Sequence, residues 1–241
     1  MKRFQSSILL MILFLAGSLQ AQRIFGKGDY TTKTYNVENF QKLELSGVFN
    51  VTLKQGNYNQ VTVEAQENLQ QYIIVDEKGS KLDIHFPKKM NLKRHKKINV
   101  TLVFTDFKSL EANMVGKLNS DGTLRFHSLE IDDSSVGNMD LTIQAQYLDA
   151  DFSAVGNIYL AGQVKKADIN SSIVGNLDAS ELAVGFLDID NAGVGNVKVR
   201  ADMELAIDHS GIGSFRYSGE PKITSLSSSG IGKVKQVSRS F

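Results

Sequence analysis

The 241-residue chain contains no cysteine, no tryptophan and only two prolines. Without thiols there is no disulfide, no thiolate metal site and no cysteine nucleophile, so stability must come from packing and backbone hydrogen bonds. An excess of charge is also missing, because 27 Lys and Arg stand against 26 Asp and Glu. That balance excludes nucleic-acid binding by global positive charge and confines any electrostatic role to local clusters. What remains, 41% hydrophobic and 22% charged residues, is the composition of a chain that folds. The one long apolar run, residues 8–16, is about half of the ~20 residues a bilayer span requires. It follows Lys2 and Arg3 and precedes the small residues of 17–21 (GSLQA), so it reads as a secretory signal cut after Ala21. With no second apolar run and no cysteine to acylate, residues 22–241 are expected to be exported as one domain without a membrane span. The destination is the periplasm, the outer-membrane surface or the medium.

From Leu110 onward the chain repeats itself. The tripeptide [V/I]-G-x recurs at seven glycines, Gly116, Gly137, Gly156, Gly175, Gly195, Gly213 and Gly232, separated by 21, 19, 19, 20, 18 and 19 residues. That period belongs to stacked solenoids. With positions counted from the glycine, apolar columns fall at −8, −6, −1, +2 and +4. Small or polar residues recur at −3 (Asn113, Ser134, Ser153, Ser172, Ala192, Ser210 and Ser229) and suggest a ladder of hydroxyls bonding from coil to coil. Apolar and polar residues alternate with period two on both sides of each glycine, so each unit is two short strands joined at a corner. The expected fold is all-β: a β-solenoid, with a right-handed β-helix favoured, of seven rungs of about 19 residues and a β-rich N-terminal cap. The glycines are assigned a structural role, a corner that needs positive φ or excludes a Cβ.

Residues 43–53 (LELSGVFNVTL) match 187–199 (LDIDNAGVGNVKV), with Phe49 at the glycine position, and read as a degenerate first rung. Strand-like runs follow at 61–65, 72–75, 82–86 and 98–104, with a possible helical turn at 67–71. They are expected to pair antiparallel beside the first rungs. Residues 22–109 would thus form the first rung and cap, and 110–241 the regular repeats. Lys233, Lys235 and Arg239 would protect the last edge, which favours a monomer.

The signal segment, the opening at residues 40–51 (FQKLELSGVFNV) and the repeated small-x-V-G-N units resemble the putative autotransporter adhesin, head-GIN domain family, secreted by Gram-negative bacteria. The resemblance covers roughly residues 36 to 235. It implies a secreted, adhesin-like β-helical domain and no catalytic residues.

Two charged clusters are candidate sites. Glu130, Asp149, Asp168 and Asp188 recur at −7, and Asp132, Asp151, Asp190 and Asp208 at −5, with Asn170 interrupting the second column. Alternation puts both columns on one outward face. Like charges about 4.8 Å apart repel by roughly 0.9 kcal/mol even in bulk water, which motivates calcium as a counter-ion. Against it stand the absent G-G-x-G-x-D signature and the ordinary use of such a face for solubility. The second cluster is basic: Lys88, Lys89, Lys93, Arg94, Lys96 and Lys97, with His95, in what reads as an exposed hairpin loop. Such a loop suits lipopolysaccharide phosphates or acidic glycans. Asp208, His209 and Ser210 are no triad, since neighbours on a strand face opposite ways. His85, His95 and His127 lack metal-ligand spacing. No cofactor is expected. The reading is an exported, non-catalytic binding module for a glycan, an envelope component or a protein. The alternatives are a carbohydrate-active enzyme, a polysaccharide lyase or hydrolase, on a β-helix, and a periplasmic scaffold or stress protein.

Overall fold

The structure is a computed structural model that describes residues 23–88 and 90–238, so the signal segment, Lys89 and Arg239 lie outside the described residues. The chain is all-β, 73% strand and 3% helix, wound into a solenoid of about six turns. The cap and first rung comprise β1 (Arg23–Phe25), β2 (Tyr30–Asn36), β3 (Lys42–Val48), β4 (Asn50–Gln55) and β5 (Gln60–Gln66), then a 3₁₀ turn at Glu67–Tyr72. β6 (Ile74–Lys78), β7 (Lys81–His85), β8 (Asn91–Lys93) and β9 (Asn99–Phe104) complete the cap. The regular coils are β10 (Ser109–Asp133), β11 (Val136–Phe152), β12 (Val155–Ser171), β13 (Val174–Asn191) and β14 (Val194–His209). β15 (Phe215–Ser218), β16 (Lys222–Ser228) and β17 (Val234–Gln236) end the stack.

Successive coils pair in parallel with like residues stacked. Gly116, Gly137, Gly156, Gly175 and Gly195 are Cα partners in turn, and bridges through Ile212 and Ile231 extend the stack to Gly213 and Gly232. The seven corners thus bound six complete repeats rather than seven. At Gly195, φ is +143°, and an added Cβ would lie 1.5 Å from the Gly175 carbonyl oxygen. Positive φ and steric exclusion therefore act together at this corner. Phe49 does stack on Gly116, since the latter's missing Cβ would meet the Phe49 carbonyl oxygen at 2.2 Å.

Inward columns make one continuous core. Leu129, Leu148, Ala167, Leu187 and Leu205 at −8, and Ile131, Ala150, Ile169, Ile189 and Ile207 at −6, are all buried. Where the −6 column shrinks to Ala150, Phe152 two residues on is fully buried and supplies the missing volume. The column does not stay buried throughout: Leu226, next in register after Ile207, is 55% exposed, on a strand that among the described residues pairs only with β14.

The cap departs from the antiparallel expectation. β7 and β9 pair in parallel with β3 and β4, so the solenoid continues for a broken turn below the first rung. Only then do β5 against β9, β2 against β5 and β6 against β7 pair antiparallel. Residues 82 and 84, and 100 and 102, carry the same inward apolar alternation as the coils above, and that pattern fits parallel stacking. Phe40, Phe104, Phe107 and Phe126 fasten cap to coil, with ring centroids 4.6 Å apart for Phe104 and Phe107 and 5.1 Å for Phe107 and Phe126. Across the surface above them, Lys81 bonds Glu44, and Lys42 bonds both Glu44 and Glu111, each within 3.0 Å.

Candidate functional site

Because the coils are in register, each outward position of the repeat becomes a straight row, and four rows or clusters differ in chemistry. The acidic row holds Glu130, Asp149, Asp168 and Asp188 as successive Cα partners beside Asp132, Asp151, Asn170, Asp190 and Asp208. All of these side chains are exposed. Burial by its neighbours, then the charges of Asp188 and Asp149, push the Asp168 carboxyl up. Among the described residues no three acidic or imidazole groups converge as metal ligands.

The basic cluster is less a free loop than the sequence suggested. Its centre is β8, which pairs in parallel with β1, setting Arg23 beside Asn91 and Phe25 beside Lys93. The buried Gln66 accepts the Lys96 backbone N–H at 2.8 Å, and the Tyr30 hydroxyl donates to the Lys97 carbonyl. Arg94 is held at φ +41°, in the left-handed region that non-glycine residues rarely enter. Lys88, Lys93, Arg94, Lys96 and Lys97 are exposed, and Arg23 and Lys27 from the neighbouring segment join them. Phe25 stands among them 45% exposed. Sequence reasoning missed Arg23, Phe25 and Lys27, because β1 and β8 are almost seventy residues apart and only their alternating RIF and NLK patterns hint at pairing.

Two rows were misplaced. The −3 row is exposed, and among the described residues no side-chain hydrogen bond links its members; the coil-to-coil bonds there are backbone, as from Ser153 N–H to the Asp133 carbonyl at 2.8 Å. The side-chain ladder runs at +1 instead: Asn157 Nδ2 donates to Asn138 Oδ1 at 3.3 Å, Asn176 to Asn157 at 2.8 Å, and Asn196 to Asn176 at 3.0 Å. Ser214 continues it by donating to Asn196 at 2.7 Å. The recurring Asn of V-G-N was the available signal. The second misplaced row is −1, counted above with the apolar columns. Val48, Val115, Val136, Val155, Val174, Val194, Ile212 and Ile231 form an outward aliphatic ridge, each member between 37% and 72% exposed.

One inward row is polar. At −4 stand Asp133, Phe152, Ser171, Asn191 and His209, all buried. Asn191 Nδ2 lies 2.9 Å from His209 Nδ1, while His209 Nε2 and Ser171 Oγ have no partner among the described residues. His209 points inward and Asp208 and Ser210 outward, so these three neighbours share no site. Burial pushes the Asp133 carboxyl up, although the Ser135 N–H and hydroxyl stabilise the anion. A folded-state pKa above the unfolded one means the native state binds more protons between the two values, so stability falls as pH rises through that window. Asp133→Asn keeps an acceptor for Ser135 and removes the charge. It is expected to raise the urea midpoint at pH 7, with the gain shrinking toward pH 4; an equal gain at both pH values would contradict the assignment.

A concavity of about 600 Å³ lies toward the C-terminal end between Asp202, Glu220 and Gln236. Its Asp202 carboxylate is held by Arg200 at 3.0 and 3.2 Å. The fold and its rows define a class: a non-globular β-solenoid that offers straight, repetitive side-chain arrays.

The family follows from comparison. The chain belongs to the family described as "Putative auto-transporter adhesin, head GIN domain", whose model matches residues 39–221. No curated protein matches it. Among solved structures it is similar to a putative adhesin from Bacteroides fragilis, at 26% identity and a TM-score of 0.85 over 89% of this chain and 100% of that one. A putative lipid binding protein from Parabacteroides distasonis shares the fold at 20% identity, with a TM-score of 0.69 over 90% of this chain and 100% of that one. A putative adhesin from the same species does so at 23% identity and a TM-score of 0.63, over 90% and 100% of the two chains.

Proposed function

We propose that the protein is an exported, non-catalytic, adhesin-like module that grips a phosphorylated or acidic component of the cell envelope with the basic end of its cap. The observation that carries this reading is the β1–β8 pair, which sets the exposed Phe25 beside Lys93 and so brings the segment of the exposed Arg23 and Lys27 alongside that of the exposed Lys88, Lys93, Arg94, Lys96 and Lys97. Paired cations attract phosphate or carboxylate groups, and an exposed ring beside them suits the boundary between a charged headgroup and its apolar chains. The lipid-binding description of the Parabacteroides distasonis neighbour fits an amphiphilic ligand of that kind. The anchored geometry supports recognition rather than mere solvation, since Gln66 and Tyr30 fix the segment and Arg94 is held in a strained conformation. The acidic row lies on the coils and would keep a polyanion from wrapping along the solenoid.

Vesicles containing lipopolysaccharide, sedimented with the protein at about 0.1 M salt, test the proposal. Replacing Lys93, Arg94, Lys96 and Lys97 with Gln is expected to abolish co-sedimentation while leaving the circular dichroism unchanged. Undiminished binding by that variant would end the proposal. Protease treatment of intact cells, with a periplasmic control, then separates a surface location from a periplasmic one.

A further inference from the structure

The outward −1 ridge has a second feature beyond its exposure, which is that its surroundings carry almost no charge. In the five residues from −3 to +1 at each of its eight levels, only Lys117 and Lys233 are charged, in a chain where 22% of residues are. A charge-depleted band around aliphatic side chains is the composition of an interface core, not of a solvated face. Eight branched aliphatics about half exposed, at roughly 70–80 Å² each, amount to some 600 Å² of apolar surface, at or above the largest patch usual on a monomer.

We infer that this ridge is the contact surface for a second copy of the same chain, packed antiparallel along the solenoid axis. Three observations select that occupant. The first is period. The ridge side chains repeat at the parallel-strand spacing of about 4.8 Å, and a second copy carries the same spacing, so a branched side chain can enter every notch. The second is shape. Beside the ridge, between Tyr159, Asp178, Lys198 and Arg216, runs a shallow concavity of about 320 Å³. A raised row next to a hollow makes the surface self-complementary, as a two-fold interface requires.

The third is charge. The +3 row on the same side reads Asn119, Asp140, Tyr159 and Asp178 in the half nearer the cap, and then Lys198, Arg216 and Lys235 toward the open end. An antiparallel partner sets Asp140 of each copy opposite Lys198 of the other, a lysine that also holds Asp178 of its own chain at 2.9 Å, and sets Arg216 opposite the neutral Asn119, so no like charges of this row meet. It also places Lys117 opposite Ser214 and Lys233 opposite Asn50, so no lysine of the band meets another. The acidic rows at −7 and −5 lie beyond the break in the strands at residues 134–135, 153–154 and 172–173, across that turn from the contact. With the flanking Asn and +3 residues, the area covered reaches the ~800 Å² per partner of a standard specific interface.

Sedimentation equilibrium of the wild-type protein and of Val155→Lys/Val174→Lys tests the inference. Both substituted positions point outward at mid-ridge, so the fold is expected to survive, which the thermal midpoint of the variant checks. The expected result is a wild-type dimer with a dissociation constant in the micromolar range and a variant at least about tenfold weaker. A charge reversal, Asp140→Lys, is expected to weaken the dimer without altering the monomer. A wild-type protein that remains monomeric at about 100 µM overturns the inference, and so does a dimer that both variants leave intact. A dimer lost only on Leu226→Lys would place the contact at the open end and overturn it equally.

Discussion

Gly195→Ala is expected to cost about 4 kcal/mol or more of stability, or to prevent the upper coils from forming at all. The methyl group would sit 1.5 Å from the Gly175 carbonyl oxygen, on a residue whose φ of +143° is foreign to an alanine. Neither difficulty has a side-chain remedy, because the obstacle is backbone belonging to the coil below. Relief requires the two coils to part, which would stretch the bonds from Ala192 N–H to the Ser171 carbonyl and from Val194 N–H to the Ile173 carbonyl, both 2.8 Å. The Asn196 to Asn176 bond of the neighbouring ladder would follow. Gly122→Ala is the matched comparison: φ is +84° there, but the added methyl meets nothing within 4 Å. It should cost only the backbone penalty of about 1–2 kcal/mol. Urea unfolding of the two variants separates steric exclusion from φ, and comparable losses would refute the stacking argument.

Phe107→Ala is the second large effect, expected at about 3–5 kcal/mol. Phe107 is 1% exposed and lies between Phe40, Phe104 and Phe126. Its removal opens a cavity at the junction where the cap meets β10. The damage should be local, because each coil contacts only its neighbours. Hydrogen exchange is therefore expected to accelerate in β4, β5 and β9, while β12 and β13 keep their protection. Uniform acceleration across all coils would show that the cap and solenoid unfold as one unit.

The sequence carried the solenoid because the glycine column answers to geometry alone: no other residue fits where φ is positive and the neighbouring coil is in the way. The polar inward row was harder to see, since Asp133, Ser171, Asn191 and His209 do not look like core, yet period two puts them inside. At −1 the two signals conflicted. Hydrophobicity argued for the interior and parity for the exterior, and parity prevailed, since −1 is an odd position among even inward ones. The hydroxyls at −3 suggested a ladder, but the bend there turns them outward, whereas the Asn side chains at +1 face one another along the stack. In the cap no repeat was available. The pairing of β1 with β8 and the parallel seating of β7 and β9 depend on contacts between distant segments, and the basic site could be read only as the half that is contiguous in the chain.

The in-register stacking has a consequence for length. Removing the 19 residues from one ridge valine to just before the next, as from Val155 to Val174, would bring Val136 beneath Val174 with every column still in line. The molecule would shorten by one step of about 4.8 Å and otherwise keep its chemistry. The coils therefore set a graduated distance between the cap at one end and β16 at the other. Selection can set the distance between them by whole turns without redesigning either end.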